Sequence, residues 1–304
     1  MAISFRRTRR GRRGVDPVYV FSWMCLSVWM IFAIFPVFWG YLNSFKPPEQ
    51  IFDLPPKLIF TPTLHNYAVI FGLEVGAEAE GVTQTQQATG AVSQLPRYFL
   101  NSLIISTGTM VLSLLLGCLA AYSLARFNFR AKRYMLLSVL FVRMVPAVVL
   151  VIPIYTLWRA LGLLDTHQGL ILAYLSFNLP FVIWMMRGFF VDIPVEIEEA
   201  ALIDGCSRLS ALVRVILPLA APGMAATAIF ALLLGWNEFL FAVLLTADKA
   251  KTLTPAILNY VTDRAVLWGN LYAAASIVLL PVLIFSLAVQ KHLARGLTGG
   301  AVKG

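Results

Sequence analysis

Residues 98–125 read Tyr98-Phe99-Leu100-Asn101-Ser102-Leu103-Ile104-Ile105-Ser106-Thr107-Gly108-Thr109-Met110-Val111-Leu112-Ser113-Leu114-Leu115-Leu116-Gly117-Cys118-Leu119-Ala120-Ala121-Tyr122-Ser123-Leu124-Ala125, with no Asp, Glu, Lys or Arg among them. An apolar run of about 18 residues or more is long enough to cross the hydrocarbon core of a bilayer as a helix. The run does not alternate strictly, and at about twice the length of a barrel strand it does not suit a β-barrel. Five more such segments occur, at 18–42, 134–158, 168–190, 219–246 and 268–290. The whole chain has 304 residues, of which 59% are hydrophobic and only 13% charged. Soluble proteins carry about a quarter charged residues. The sequence predicts an all-α polytopic membrane protein with six transmembrane helices.

The net charge of +9 is concentrated in segments that share one predicted side, which argues against nucleic acid as a partner. Arg6, Arg7, Arg9, Arg10, Arg12 and Arg13 fill an N-terminal arm, 1–17. The apolar run that follows is too long for a signal-peptide core and has no small-residue cleavage site, so it is read as a spanning helix. Arg126, Arg130, Lys132 and Arg133 follow the second segment, and Lys291, Arg295 and Lys303 lie in the tail 291–304. The alternate loops are sparser, with Lys46, Lys57, Arg159, Lys249, Lys251 and Arg264. An excess of Lys and Arg marks the cytoplasmic side, so both termini are expected there. This layout gives a six-helix transmembrane domain 18–290 with an external loop at 43–97 and a cytoplasmic loop at 191–218. Within the external loop, Gly72 to Gln94 is rich in Gly, Glu, Thr, Gln and Ala, a composition that buries little and predicts a mobile segment. Cys25, Cys118 and Cys206 have no evident partners, so neither a disulfide nor a metal site is expected.

The loop 191–218 opens Val191-Asp192-Ile193-Pro194-Val195-Glu196-Ile197-Glu198-Glu199-Ala200-Ala201-Leu202-Ile203-Asp204-Gly205-Cys206-Ser207. Asp192 and Pro194 suit a helix start, and acidic residues in the first turns suit the dipole. Gly205 suits a left-handed stop. Ser207 can cap a second helix, in which Leu209, Leu212, Val213 and Ile216 share a face and which Pro218 is expected to end. The result is a helix–turn–helix at the membrane surface. It serves either as a seal for the base of the bundle or as a docking element, with the Ala200-Ala201 pair small enough to enter a cleft.

Glu199-Ala200-Ala201, Asp204-Gly205 and Ile216-Leu217-Pro218 resemble the EAA loop of binding-protein-dependent ABC importer permeases, in its usual place between the fourth and fifth crossings. Thr63-Leu64-His65-Asn66-Tyr67, Asn101-Ser102-Leu103, Gly235-Trp236-Asn237-Glu238-Phe239 and the ending from Gln290 to Gly304 are similar to the carbohydrate-uptake branch, specifically its maltose-type second permeases. An acidic residue is common in that branch where this chain has His65. The resemblance covers nearly the whole chain, and the Gly72–Gln94 stretch fits it least and looks like an insertion. It implies a multi-pass protein of the bacterial inner membrane whose partners are a second permease, an ABC ATPase dimer and a periplasmic or lipid-anchored solute-binding protein. It implies that Glu199, Ala200, Ala201, Asp204 and Gly205 couple to the ATPase. ATP and Mg would be held by the ATPase subunits, with no cofactor bound by this chain. The solute implied is a carbohydrate or polyol, with another small solute such as a sugar phosphate as the alternative.

Arg143, Asn178, Asn237 and Glu238 fall within apolar segments, where polar groups are costly and face a cavity or a partner. They are candidates for a translocation pathway, or else for structural roles in which Arg143 and Glu238 pair with each other or with backbone. Arg187 is expected to snorkel, and the tryptophans to anchor at the membrane interface. Pro36, Pro146, Pro153, Pro180 and Pro281 are expected to kink or hinge their helices. No G-x-x-x-x-G-K-[ST] phosphate loop is present. His65, His167 and His292 lack metal-ligand spacing, and no Ser or Cys has a nucleophile setting, which argues against an enzyme. A secondary transporter would be expected to show internal repeats and would have no use for a docking loop.

Overall fold

A computed structural model describes residues 17–73, 94–261 and 266–300. The basic arm and most of the Gly72–Gln94 segment lie outside the described residues. The described chain is helical, and its only β-type pairing is an isolated bridge between Val261 and Val266. The helices are α1 (Pro17–Ser44), α2 (His65–Ile70), α3 (Leu95–Arg126), α4 (Lys132–Met144), α5 (Ala147–Leu161), α6 (His167–Asp192), α7 (Val195–Ile203), α8 (Arg208–Leu219), α9 (Ala221–Trp236), α10 (Leu240–Leu245), α11 (Leu253–Ala256) and α12 (Trp268–Gly300).

Four of these, α1, α3, α6 and α12, are each long and apolar enough to cross a membrane. The third and fifth expected crossings are not single straight helices. Residues 134–158 fall on α4 and α5, which meet at 94° across Val145 and Pro146. Proline has no N–H to continue the α4 ladder and disfavours α geometry in the residue before it. Pro146 therefore stands as the N-cap of α5. Residues 219–246 divide into α9 and α10 around Asn237–Phe239. Pro218 does not end the second loop helix. Helical structure runs through it to Leu219, and the 81° bend onto α9 comes at Ala220. Pro36, Pro153, Pro180 and Pro281 lie inside continuous helices.

α3 and α6 form the centre and run in the same direction. A Cβ built on Gly108 comes within 2.8 Å of Ile171, and one built on Gly117 within 2.6 Å of Val182, so small residues on α3 let the two backbones close. α9 packs against both, α12 against α9, and α1 lies outermost on α12. Three apolar layers stack along the bundle. Leu95, Tyr98, Trp236 and Leu253 mark one end, Ile105, Tyr174 and Phe241 the middle, and Ala121, Tyr122, Phe190, Leu212 and Ile216 the other end. Trp236 is therefore a core residue, its indole N–H donating to the Val278 carbonyl at 3.1 Å, and not an interface anchor. The outer faces of α1 and α4 carry exposed Phe, Trp, Leu and Met side chains, as a surface meeting lipid or another membrane subunit requires.

Candidate functional site: the helical loop and the polar residues of the bundle

The loop lies at the end of the bundle where α3 and α6 both finish. Asp192 belongs to α6 as its last residue, and Pro194 is the N-cap of α7. Glu196 and Glu198 lie in the first turn, where acidic side chains suit the positive end of the dipole. At the far end Gly205 adopts φ +88, the left-handed conformation that its lack of a Cβ permits. Its N–H donates to the Leu202 carbonyl at 3.1 Å, and the Cys206 N–H to the Ala201 carbonyl at 3.0 Å. This pair of bonds is a Schellman stop. The Ser207 hydroxyl then accepts from the Ser210 N–H at 3.3 Å and caps α8.

The two faces of α7 differ. Glu196, Glu199, Ala200 and Ile203, at spacings of 3, 1 and 3, are all exposed, and Ile203 is 86% so. Asp204 and Gly205 are exposed beside them. Ala201 points inward and is buried with Glu198, so the alanine pair does not share one open face. In α8 the expected apolar face is only half realised. Ala211, Leu212 and Ile216 are buried, whereas Leu209 and Val213 are 63% and 53% exposed. A π-helical turn occupies Leu212–Ile216 within this helix.

Sequence reasoning missed how the loop is held. The Arg126 guanidinium, in the last turn of α3, lies 2.8 Å from the Glu198 carboxylate, with the two side chains only 5% and 3% exposed. The Nε–H is not aligned on Oε2, so this contact is one of charge. The other carboxylate oxygen accepts from the Tyr122 hydroxyl. Arg126 Nη2 also donates to the Ile193 carbonyl, the C-cap of α6, at 3.0 Å. A second contact places the Arg208 guanidinium 5.1 Å from the Phe127 ring. The signal was present in the neighbouring acids Glu198 and Glu199, but nothing in the sequence said which of them points inward.

The structure does not bring the four polar candidates of the apolar segments together as one site. Glu238 sits in the break before α10, where its carboxylate accepts from the N–H groups of Leu240, Phe241 and Ala242 at 3.1–3.2 Å. It caps that helix and does not pair with Arg143. Arg143 lies in the last turn of α4, where a cation suits the dipole, and its guanidinium stands 5.3 Å from the Phe181 ring. Asn237 is exposed and donates to the Leu233 carbonyl of its own helix at 2.9 Å. Asn178 is fully buried, with no hydrogen-bond partner for either side-chain polar atom among the described residues. Thr109 and Ser113 of α3 are likewise buried with unpartnered hydroxyls, and the α3–α6 register puts Ser113 level with Asn178.

The opposite end of the bundle is closed by polar contacts. Asn101 donates to the carbonyls of Lys249 and Lys251 at 3.0 and 2.9 Å and accepts from the His167 ring at 2.7 Å. Asp165, at φ +54, receives the N–H groups of Ala247, Asp248, Lys249 and Ala250. Desolvation pulls its pKa upward, but these backbone donors outweigh it and hold the carboxyl below its ordinary value.

Residues 113–299 match the family described as binding-protein-dependent transport system inner membrane component. A probable ABC transporter permease protein of Sinorhizobium fredii is 34% identical over 303 residues, covering 100% of both chains. The trehalose transport system permease protein SugB of Mycobacterium tuberculosis is 36% identical over 287 residues, 93% of this chain and 97% of that one. Among solved structures, a bacterial ABC transporter involved in the import of the acidic polysaccharide alginate superposes with a TM-score of 0.70 at 20% identity, covering 93% of this chain and 99% of that one. A helical bundle whose central helices end on a capped helix–turn–helix, and whose sequence matches these permeases from end to end, places this chain in the family of binding-protein-dependent transport system inner membrane components.

Proposed function

We propose that this chain is the membrane-spanning permease subunit of an ATP-binding cassette importer for a carbohydrate or polyol, and that the loop 191–218 is its contact with the ATPase. The observation that carries the coupling role is the exposed stripe Glu196, Glu199, Ala200 and Ile203 on a helix whose back is buried. A bare isoleucine flanked by acids and a small residue fits a groove on a soluble partner better than it fits water. Support for the solute class comes from relatives named for trehalose, diacetylchitobiose and trehalose/maltose transport.

In this reading both termini and the loop are cytoplasmic. A second permease completes the pathway, two ATPase subunits hold ATP and Mg, and a periplasmic or lipid-anchored solute-binding protein delivers the solute at the opposite end. ATP binding closes the ATPase dimer, α7 moves with it, and the bundle alternates between its two openings. Asn178 supports a pathway role most directly among the four polar candidates, because its amide is buried and unpartnered in this state, whereas Glu238, Arg143 and Asn237 each have a partner in place.

The test is uptake of labelled sugars and polyols by cells with the gene deleted and by vesicles containing the purified complex. ATP-dependent uptake of at least one of them, lost on deletion, is the expected result. Uptake that persists without hydrolysable ATP and follows an ion gradient would replace this reading with a secondary transporter.

A further inference from the structure

The buried contact between Arg126 and Glu198 has a consequence beyond holding the loop in place. Taking two charges out of water is costly, and an ion pair with both side chains almost fully buried persists only where the surrounding geometry fixes it. Here the geometry joins three elements at one guanidinium. Arg126 ends α3, its Nη2 donates to the carbonyl of Ile193, the C-cap of α6, and its charge meets the carboxylate of α7. Tyr122, one turn earlier on α3, holds the second oxygen of that carboxylate. Its ring packs edge-on against Phe127 and Phe190, so the hydroxyl is fixed by the same apolar layer that seats Leu212 and Ile216 of α8.

The direction of the bonds matters. α7 is a nine-residue helix, too short to hold its place without tertiary contacts. Among the described residues its outward-facing Glu196, Glu199, Ala200 and Ile203 are exposed, and its inward face is fixed through the buried Glu198 and Ala201. A displacement of the outward face therefore reaches the bundle by way of Glu198 and arrives at the ends of α3 and α6 together. These are the two helices with the closest mutual packing.

We propose that Arg126, Glu198 and Tyr122 form a buried joint that makes α7 and the loop-side ends of α3 and α6 move as one body in the transport cycle. Arg126 and Glu198 are positioning residues: they touch neither solute nor nucleotide, and they set how much of the ATPase movement becomes movement of the bundle. The proposal rests on the reading of α7 as the ATPase contact.

The experiment uses the complete complex in vesicles, with Cys25, Cys118 and Cys206 replaced. Spin labels at Val195 on α7, which is exposed and outside the stripe assigned to the ATPase, and at Ser123 on α3 report the distance across the joint, without nucleotide and in an ATP-trapped state. In the otherwise unaltered protein the distance is expected to be the same in both states. In Glu198→Gln and Arg126→Lys it is expected to differ between states, with transport per ATP hydrolysed falling between about twofold and thirtyfold. Tyr122→Phe leaves no charge unpaired, so it tests the joint even if either charge variant fails to accumulate, and it is expected to give the smallest fall.

A distance that changes with nucleotide in the unaltered protein would overturn the joint, as would unchanged transport per ATP in all three variants. A cysteine at Ile203 that cross-links to the ATPase shows the docking reading separately. Its failure to cross-link in an assembled, active complex would sink that reading and the joint with it, whereas cross-linking combined with unaltered coupling in the variants would sink the joint alone.

Discussion

Gly205 offers the sharpest perturbation of the loop, because its cost arises from one source. A Cβ added there meets nothing within 4 Å, so a substitution creates no clash with a neighbour. The penalty is the backbone angle, φ +88, which costs an L-residue about 1–2 kcal/mol. That energy acts on a hinge. Leaving the left-handed region breaks the two bonds of the stop, from Gly205 to Leu202 and from Cys206 to Ala201, and turns Ser207 away from the N–H it caps. Asparagine tolerates the left-handed region, whereas a β-branched residue is a true outlier there. The expected order of function is therefore Gly205 with Gly205→Asn close behind, then Gly205→Ala, then Gly205→Val. A penalty of 1–2 kcal/mol corresponds to a fall of about fivefold to thirtyfold in the population holding the native loop. The assay is titration of the purified ATPase onto the permease in detergent, followed by ATP-driven uptake in vesicles. Gly205→Val is expected to shift the titration by that factor and Gly205→Asn by less than about threefold, with the helical content of the bundle unchanged in both. Equal losses in the two variants would refute the backbone argument and point to a contact made by the side chain. Full recruitment and full uptake in Gly205→Val would show that the loop only seals the membrane surface.

The remaining predictions concern topology and the two ends of the bundle. A cysteine placed between Gly72 and Gln94 is expected to react with an impermeant reagent added outside, and one at Ile203 to stay unlabelled until the membrane is opened; the reverse pattern inverts the orientation. Glu238→Ala removes the acceptor for the N–H groups that start α10, so it is expected to lower the thermal midpoint by the equivalent of about 1 kcal/mol. Exchanging Arg143 and Glu238 is expected to give no rescue, and a restored midpoint in the exchange would show that the two charges pair after all. Asp165 holds residues 247–250 with its carboxylate, and its folded pKa lies below the ordinary value. Its stabilising effect is therefore present above the ordinary carboxylate pKa of about 4 and lost as pH falls through the depressed value. Asp165→Ala is expected to raise proteolysis of that loop at neutral pH, and the unaltered protein to show comparable cleavage only under acid conditions. Equal cleavage of both at neutral pH would remove the role.

The parts of this fold that could be read in advance are those where a single residue carries its own geometric consequence. Long apolar runs marked four helices of membrane-crossing length, Gly205 the helix stop, Ser207 the cap, and Pro146 a break. What could not be read depends on phase and on partners distant in sequence. Glu198 and Glu199 are chemically alike and adjacent, and only the packing of α7 against Tyr122 and Arg126 sends one inward and the other out. The π turn at Leu212–Ile216 has no residue signature, and Leu209 and Val213 face solvent where α-helical spacing groups them with the buried Leu212 and Ile216. Glu238 stood out as a charge in an apolar segment. Its partners proved to be backbone N–H groups two to four residues on, because the helix breaks there and leaves orphan donors that the carboxylate satisfies.

If α7 is the docking helix, its three acids, Glu196, Glu198 and Glu199, also explain how a helix so short can transmit movement. Exposed ion pairs contribute little and give way under load, so Glu199 and Glu196, both exposed, are suited to a contact made and broken with each cycle. A buried pair behaves in the opposite way, because separating it leaves a charge stranded out of water at a cost of about 3–5 kcal/mol. Glu198 is buried and paired, so within α7 the inward link is the strong one and the outward link the weak one. On the proposed docking, the outward contacts would part first when the ATPase releases, and the loop would stay with the bundle. If position 198 held no acid, nothing charged would tie α7 to Arg126, and on the proposed docking the helix would part from α3 before it parted from its partner, leaving the bundle behind when the ATPase moved.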